Sequence, residues 1–87
     1  MNAFEKLVRK IVSKPDKVTP NDCFRLFEFL GFTKKKKPGS EIVFHRKGSI
    51  AFPVPTPKKG KYVKIEYIKR FIQLLELEDY LENYKED

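Results

Sequence analysis

Residues 39–54 read GSEIVFHRKGSIAFPV, and this stretch decides the fold. Its first half places Ile42 and Phe44 on one side of an extended chain and Glu41, Val43 and His45 on the other. A two-residue period is typical of a β-strand that buries one face. We therefore expect a strand from residue 39 to residue 46 whose odd-numbered side chains look away from the core.

The second half of the stretch predicts a partner strand. Ile50, Phe52 and Val54 recur at every second position and are expected to share the buried face. Lys47-Gly48 predicts a tight hairpin turn between the two runs. Pro53 lacks an N–H donor, which favours an edge position for this strand. Residues 32–37 add a third, lysine-rich candidate strand.

Helical periodicity flanks this sheet on both sides. Before it, residues 4–12 carry an apolar stripe, and a second helix is predicted to begin after Thr19, with Asp22 closing a capping box, and to end at Gly31. After it, a helix is predicted from about Val63. The stripe that starts at Leu77 and ends at Tyr84 fits either a continuation of that helix or a short extra helix, and we expect it to pack on the body.

The sequence thus predicts a single α+β domain, with a small three-stranded antiparallel sheet covered on one face by helices. Its 87 residues leave room for one core, which excludes multidomain enzymes. The single cysteine forms no internal disulfide, which favours a reducing, cytoplasmic location. The charged N-terminal residues do not resemble a signal peptide, and the longest uncharged run is too short for a membrane span.

Charge is distributed unevenly along the chain. Residues 1–75 hold 18 basic and 6 acidic side chains, whereas residues 76–87 hold one basic and six acidic ones. A basic body of this density attracts polyanions, among which nucleic acid is the most common. The sequence therefore predicts RNA binding through three basic clusters around the sheet, namely Lys34, Lys35, Lys36 and Lys37; Arg46 and Lys47; and Lys58, Lys59 and Lys61. Tyr62 and Tyr67 are candidates for stacking on bases.

The outward face of the first strand carries the candidate chemistry. Glu41 and His45 could divide general base and general acid roles in RNA cleavage, with lysines stabilising the phosphate charge. Four residues of strand separate them by roughly 13 Å at about 3.3 Å per residue, which is wide for one scissile phosphate. Two ordinary polar residues on a solvated face are the alternative. Cys23 lies on an apolar stripe, and we expect no metal or cofactor, since neither ligand spacing nor a glycine-rich phosphate loop occurs.

The order of these motifs resembles that of the HicA toxins. The similar features are Leu30-Gly31-Phe32 closing a helix, the basic run, Gly39-Ser40, the strand to Phe44, the hairpin, the strand 50–55, a Lys-Gly turn and a final amphipathic helix. The resemblance divides the chain into a leading helix and turn (residues 1–18), a HicA-like core (19–77) and an acidic extension (78–87). It implies a fold similar to a double-stranded-RNA-binding domain.

The resemblance also implies a function. HicA toxins are metal-independent ribonucleases that cleave mRNA and are held inactive by the antitoxin HicB. Their catalytic histidine directly follows the Gly-Ser pair, where this chain has Glu41. Three alternatives follow: Glu41 serves as the base with Ser40 donating to the phosphate, His45 has taken over catalysis, or cleavage is lost and only RNA or antitoxin binding remains.

Overall fold

The computed structural model describes residues 2–36, 41–57 and 59–85. In these residues, two α-helices precede three consecutive strands and two α-helices follow them, as predicted, and the C-terminal stripe forms a separate short helix. The elements are α1 (Ala3–Ser13), a 3₁₀ helix (Pro15–Lys17), α2 (Pro20–Phe29), β1 (Thr33–Lys36), β2 (Glu41–His45), β3 (Phe52–Pro55), α3 (Ile65–Leu74) and α4 (Leu77–Lys85).

The three strands form an open antiparallel sheet in the order β1-β2-β3. Ile42 lies opposite Val54, and Phe44 lies opposite Phe52. Because directly opposed residues share a face, these four side chains form one apolar surface, and α2 packs against it. The predicted α+β class and the inward orientation of Ile42 and Phe44 are confirmed.

The prediction for Ile50 is wrong. Its side chain is 60% exposed, and β3 begins only at Phe52. A turn does form at Lys47-Gly48, since the Ser49 N–H donates to the Arg46 oxygen at 3.0 Å and Gly48 has a φ of +82°. The strand pairing ends at Phe44 and Phe52, however, so residues 46–51 form a loop wider than a two-residue hairpin, and Ile50 lies outside the sheet.

The ends of α2 follow the predicted capping chemistry. Thr19 Oγ1 accepts a hydrogen bond from the Asp22 N–H at 3.2 Å, and the Thr19 N–H donates to Asp22 Oδ2 at 3.1 Å. At the other end, Gly31 has a φ of +84°, and the Phe32 N–H donates to the Phe27 oxygen at 2.9 Å. This Schellman arrangement turns the chain from α2 into β1.

Aromatic rings dominate the core between helices and sheet. Phe27 is fully buried and stacks on Phe44 with ring centroids 4.8 Å apart. Phe71 of α3 meets Phe27 edge-on at 5.3 Å, and Phe52 lies at the same distance. The first helix, α1, contributes to the same core through its apolar stripe, whose buried members are Leu7, Val8 and Ile11.

Helix α4 packs on the body, as predicted for its apolar stripe. The helical conformation is interrupted between α3 and α4 at Glu76, whose φ is +52°. Leu77 is fully buried, Leu81 packs on the core, and the Tyr80 ring meets the Phe4 ring of α1 edge-on at 5.0 Å. The side chain of Tyr84 lies outside the described part of the structure. None of the described helices is long and apolar enough to cross a membrane.

Candidate nucleic-acid interface

The open face of the sheet carries the residues predicted for catalysis. Glu41 and His45 are exposed at the two ends of β2, on the side facing away from the helices. Val43 lies between them and is only 5% exposed, although it is on this outer face, where Lys35 and Pro53 flank it. The structure therefore places Glu41 and His45 on one surface, where the length of β2 separates them. Ser40 lies outside the described residues.

The lysine run is divided between the two faces of the sheet. Lys34 and Lys36 lie opposite Phe44 and Ile42, which places them on the helix side of the β1 edge. The Lys34 ammonium group lies 5.7 Å from the centroid of the Phe24 ring. Lys35 pairs with Val43 and is on the open face. Lys37 lies outside the described residues, so the structure brings one described lysine of the run beside Glu41 and His45.

The hairpin cluster is partly used within the fold. Arg46 Nη1 donates to the Leu30 oxygen at 2.7 Å, and the guanidinium lies 4.6 Å from the centroid of the Phe32 ring. Lys47 is exposed in the turn. Of these two predicted RNA-binding residues, Arg46 thus has intramolecular partners, whereas the Lys47 side chain faces solvent.

One lysine of the third cluster lies in a cleft that was not predicted from the sequence. Lys61 lines an open cleft of about 710 Å³ between the end of α1, the 3₁₀ helix and the loop before α3. Within the described chain, its lining combines one aromatic ring, four lysines, one carboxylate and one hydroxyl, namely Tyr62; Lys10, Lys14, Lys17 and Lys61; Asp16; and Thr19. We call this feature the lysine cleft. Lys58 lies outside the described residues.

A backbone contact builds the lysine cleft. The Val63 N–H donates to the Val18 oxygen at 2.8 Å, and both side chains are buried. This bond fixes the neighbouring residues Lys17 and Tyr62 beside each other. The ammonium groups of Lys17 and Lys61 lie 5.2 Å and 5.3 Å from the centroid of the Tyr62 ring, which is cation–π range.

One lysine of the cleft is paired with a carboxylate. Lys10 Nζ lies 2.8 Å from Asp22 Oδ2. Burial raises the pKa of the Asp22 carboxyl, but hydrogen bonds from Lys10 and from Thr19 outweigh that effect, so the pKa lies below its usual value. Asp22 therefore stays ionised and holds Lys10, while Lys14, Lys17 and Lys61 leave an excess of positive charge around Tyr62.

The sequence carried a weak signal for this cleft. Lys10, Lys14 and Lys17 lie within eight residues of one another in the chain, although α1 ends at Ser13 and the three do not share one helix. Their meeting with Tyr62 depends on a contact between segments about 45 residues apart in the chain, which periodicity alone does not reveal.

A second cavity of about 390 Å³ adjoins the lysine cleft, and the Tyr62 side chain lines both. Tyr67, from the first turns of α3, lines this second cavity as well. The lining of this cavity also includes two prolines and two lysines, namely Pro55, Pro57, Lys59 and Lys64. Tyr62 and Tyr67, which the sequence marked as possible stacking residues, thus meet in one place.

The remaining reactive side chain is unsuited to nucleophilic chemistry. Cys23 is 1% exposed, and burial, together with the negative charge of Asp22, raises the pKa of its thiol to about 12. A thiol that stays protonated is a poor nucleophile. Among the residues that the structure describes, no cluster of three or more histidine, cysteine, aspartate or glutamate side chains is placed to hold a metal ion.

Comparison with known proteins gave no relatives from which a function could be transferred. No protein-family model matches this chain, and neither the curated proteins nor the solved structures contain a match.

Proposed function

We propose that this protein is an RNA-binding module of the HicA-like type, and that its lysine cleft holds the phosphate backbone. The observation that carries the proposal is that Lys14, Lys17 and Lys61 line one cleft with Tyr62, next to the ion pair of Lys10 with Asp22. Lysine clusters bind phosphates and release counterions, and aromatic rings accept unpaired bases. The resemblance to HicA supports mRNA as the RNA class.

Charge supports RNA over an acidic protein patch as the ligand. The cleft gathers cations from two distant segments of the chain, and its single lining carboxylate among the described residues, Asp16, is outnumbered. An extended polyanion also suits the wider basic surface, which includes Lys59 and Lys64 in the neighbouring cavity. Binding of this kind weakens steeply as salt rises.

Salt-dependent titration of a labelled single-stranded RNA tests the proposal. The triple variant Lys14→Gln/Lys17→Gln/Lys61→Gln should weaken binding and reduce the slope of log K against log[salt] by about 2, since each lost phosphate contact on a single strand removes about 0.7. Lys69→Gln is the matched control, because Lys69 lies on α3 beside Glu76, Glu78 and Asp79. A wild-type slope near zero would contradict RNA binding.

Cleavage of RNA is the second candidate function. Lys35 lies opposite Val43, which makes it the diagonal neighbour of both Glu41 and His45 on the open face. Such neighbours are about 7–8 Å apart, so a phosphate held by Lys35 would lie within reach of Glu41 or of His45, but not of both at once. Glu41 would accept the proton of the 2′-hydroxyl, whose oxygen attacks the adjacent phosphorus. The bond from phosphorus to the 5′ oxygen breaks, a 2′,3′-cyclic phosphate forms, and the departing 5′ oxygen takes a proton from water.

The assay for cleavage uses RNA in a chelator, with wild type and Glu41→Ala side by side. We expect RNA to be bound and to stay intact, because Glu41 and His45 are too far apart to share one phosphate. Cleavage by wild type that is lost in Glu41→Ala would instead establish the metal-independent ribonuclease.

The resemblance to HicA also supports a protein partner, an antitoxin of the HicB type. Such an antitoxin would compete with RNA for the basic surface. A small reading frame beside the gene, whose product forms a complex with this chain and displaces bound RNA, would support this part of the proposal. A product that binds without displacing RNA would contradict it.

A further inference from the structure

Tyr62 forms a wall between two cavities of different chemistry. On one side lies the lysine cleft, and on the other lies the cavity that Tyr67 also lines. The first cavity is rich in ammonium groups. The second is lined by two tyrosines, two prolines and one valine, together with Thr56, Lys59 and Lys64.

This second cavity is suited to a flat, aromatic ligand. Tyrosine and proline rings offer broad apolar surfaces, and a nucleobase can stack on such rings. Its volume of about 390 Å³ is within the range of small-ligand pockets, about 300–1,000 Å³. The cavity is also less open to solvent than the lysine cleft.

We propose that the cavity between the lysine cleft and α3 is a nucleobase pocket, in which one unpaired base of single-stranded RNA contacts Tyr62 and Tyr67. This inference rests on the proposed function and specifies that the bound RNA is single-stranded. The phosphates next to that base lie in the lysine cleft on the other side of Tyr62. A ligand with an anionic chain joined directly to a flat base matches both cavities at once.

Paired RNA cannot use this pocket. In a duplex, each base is stacked between its neighbours and hydrogen-bonded to its partner, so only unstacked bases reach aromatic side chains. Duplex RNA and inorganic polyphosphate can still bind the lysines. The pocket therefore favours single strands, while the lysine cleft by itself does not distinguish them from other polyanions.

The test compares three probes by fluorescence anisotropy or competition at fixed salt: a single-stranded RNA 12-mer, the duplex of the same sequence, and inorganic polyphosphate. Tyr67→Leu removes the ring but retains a good helix former for α3. It should weaken single-strand binding about tenfold, as expected for one lost base-stacking contact. Binding of duplex and polyphosphate should stay within twofold of wild type. Tyr67→Phe, which keeps the ring, should bind all three probes as wild type does.

Tyrosine emission supplies a second measurement on the unmodified protein. The chain has four tyrosines and no tryptophan, so its intrinsic emission comes from tyrosine. Stacking should quench this emission when the single-stranded RNA is added, whereas polyphosphate should leave it unchanged. This measurement remains informative if Tyr67→Leu fails to fold.

The outcomes separate the pocket from the wider proposal. If Tyr67→Leu binds single strands like wild type while the triple lysine variant does not, the pocket is wrong and RNA binding stands. Equal losses for all three probes, or equal quenching by polyphosphate, would also overturn the pocket. If wild type binds none of the probes, both proposals fail.

Discussion

Arg46 Nη1 donates a 2.7 Å hydrogen bond to the backbone oxygen of Leu30. The bond joins the β2–β3 hairpin loop to the C-terminal end of α2, where backbone oxygens lack helical partners. The same guanidinium covers the Phe32 ring at 4.6 Å. A residue that the sequence marked only as a contact for RNA therefore also holds two parts of the fold together.

Arg46→Lys tests this structural role. Lysine retains the positive charge but loses the planar, forked donor group. We expect the free energy of unfolding in urea to fall by about 1 kcal/mol, the usual net worth of one such hydrogen bond. Lys47→Gln, which alters the neighbouring exposed side chain, should change stability by less than about 0.5 kcal/mol. Equal stability of Arg46→Lys and wild type would remove Arg46 from this role.

Stability should depend on the ionisation of Asp22. Its carboxylate caps α2 and pairs with Lys10, and its pKa is lowered in the folded protein. A lowered pKa contributes stability above the ordinary aspartate pKa of about 3.9, and this contribution is lost as the pH falls through the folded value. We expect Asp22→Asn to cost about 1.5 kcal/mol at pH 7 and progressively less below about pH 4.

Asp16→Asn is the control for that experiment. Asp16 is an exposed carboxylate on the 3₁₀ helix, and its replacement should change the free energy of unfolding by less than about 0.5 kcal/mol. Urea titrations at pH 3, 4, 5 and 7 provide the comparison. A cost of Asp22→Asn that stays constant across this range would mean that ionisation of the carboxyl does not matter.

The acidic C-terminal helix should contribute to stability. Tyr80 packs edge-on against Phe4, and Leu77 is fully buried. Deletion of residues 78–87 should lower the melting temperature, and Tyr80→Ala alone should cost about 2 kcal/mol, since the ring is half-buried. Glu78→Ala changes an exposed side chain of the same helix and should have little effect. An unchanged melting temperature after the deletion would show that the helix does not support the body.

Cys23 should be inert in the folded state. The thiol is buried, and its pKa is raised to about 12, so both access and thiolate formation are suppressed. At pH 8, a thiol reagent should react with the native protein at least a hundredfold more slowly than with the urea-unfolded chain. Fast modification of the native protein, with circular dichroism unchanged, would contradict this placement.

Local patterns were sufficient to predict most of the fold. The alternation of Ile42 and Phe44 gave the inward face of β2, and Thr19, Asp22 and Gly31 gave the two ends of α2. These features depend on hydrogen bonds or side-chain periods within a few residues. Ile50 was misplaced because the length of a hairpin loop depends on where strand pairing ends, and that is set by packing of Phe44 and Phe52 on the core.

The candidate site was harder to predict, because it joins distant segments. Lys61 and Tyr62 were singled out in the sequence, but Lys14 and Lys17 come next to them through the Val18–Val63 backbone bond. The lysine run, in contrast, gave a strong signal in the sequence, yet strand alternation sends Lys34 and Lys35 to opposite faces. Charge density along the chain therefore predicted more positive charge on the open face of the sheet than the structure places there. It also failed to indicate the positive charge that gathers in the lysine cleft.

Alternating prolines in β3 have a consequence for self-association. Pro53 and Pro55 are two residues apart in β3, so their backbone nitrogens face the same edge of the strand. Because neither nitrogen carries a hydrogen, the pairing with β2 loses no donor when that edge faces away from β2. The outer rim of β3 is then poor in donors and cannot template a fourth strand, while the opposite rim carries lysines that repel another copy. Growth of the sheet into fibrils is thereby opposed at both ends.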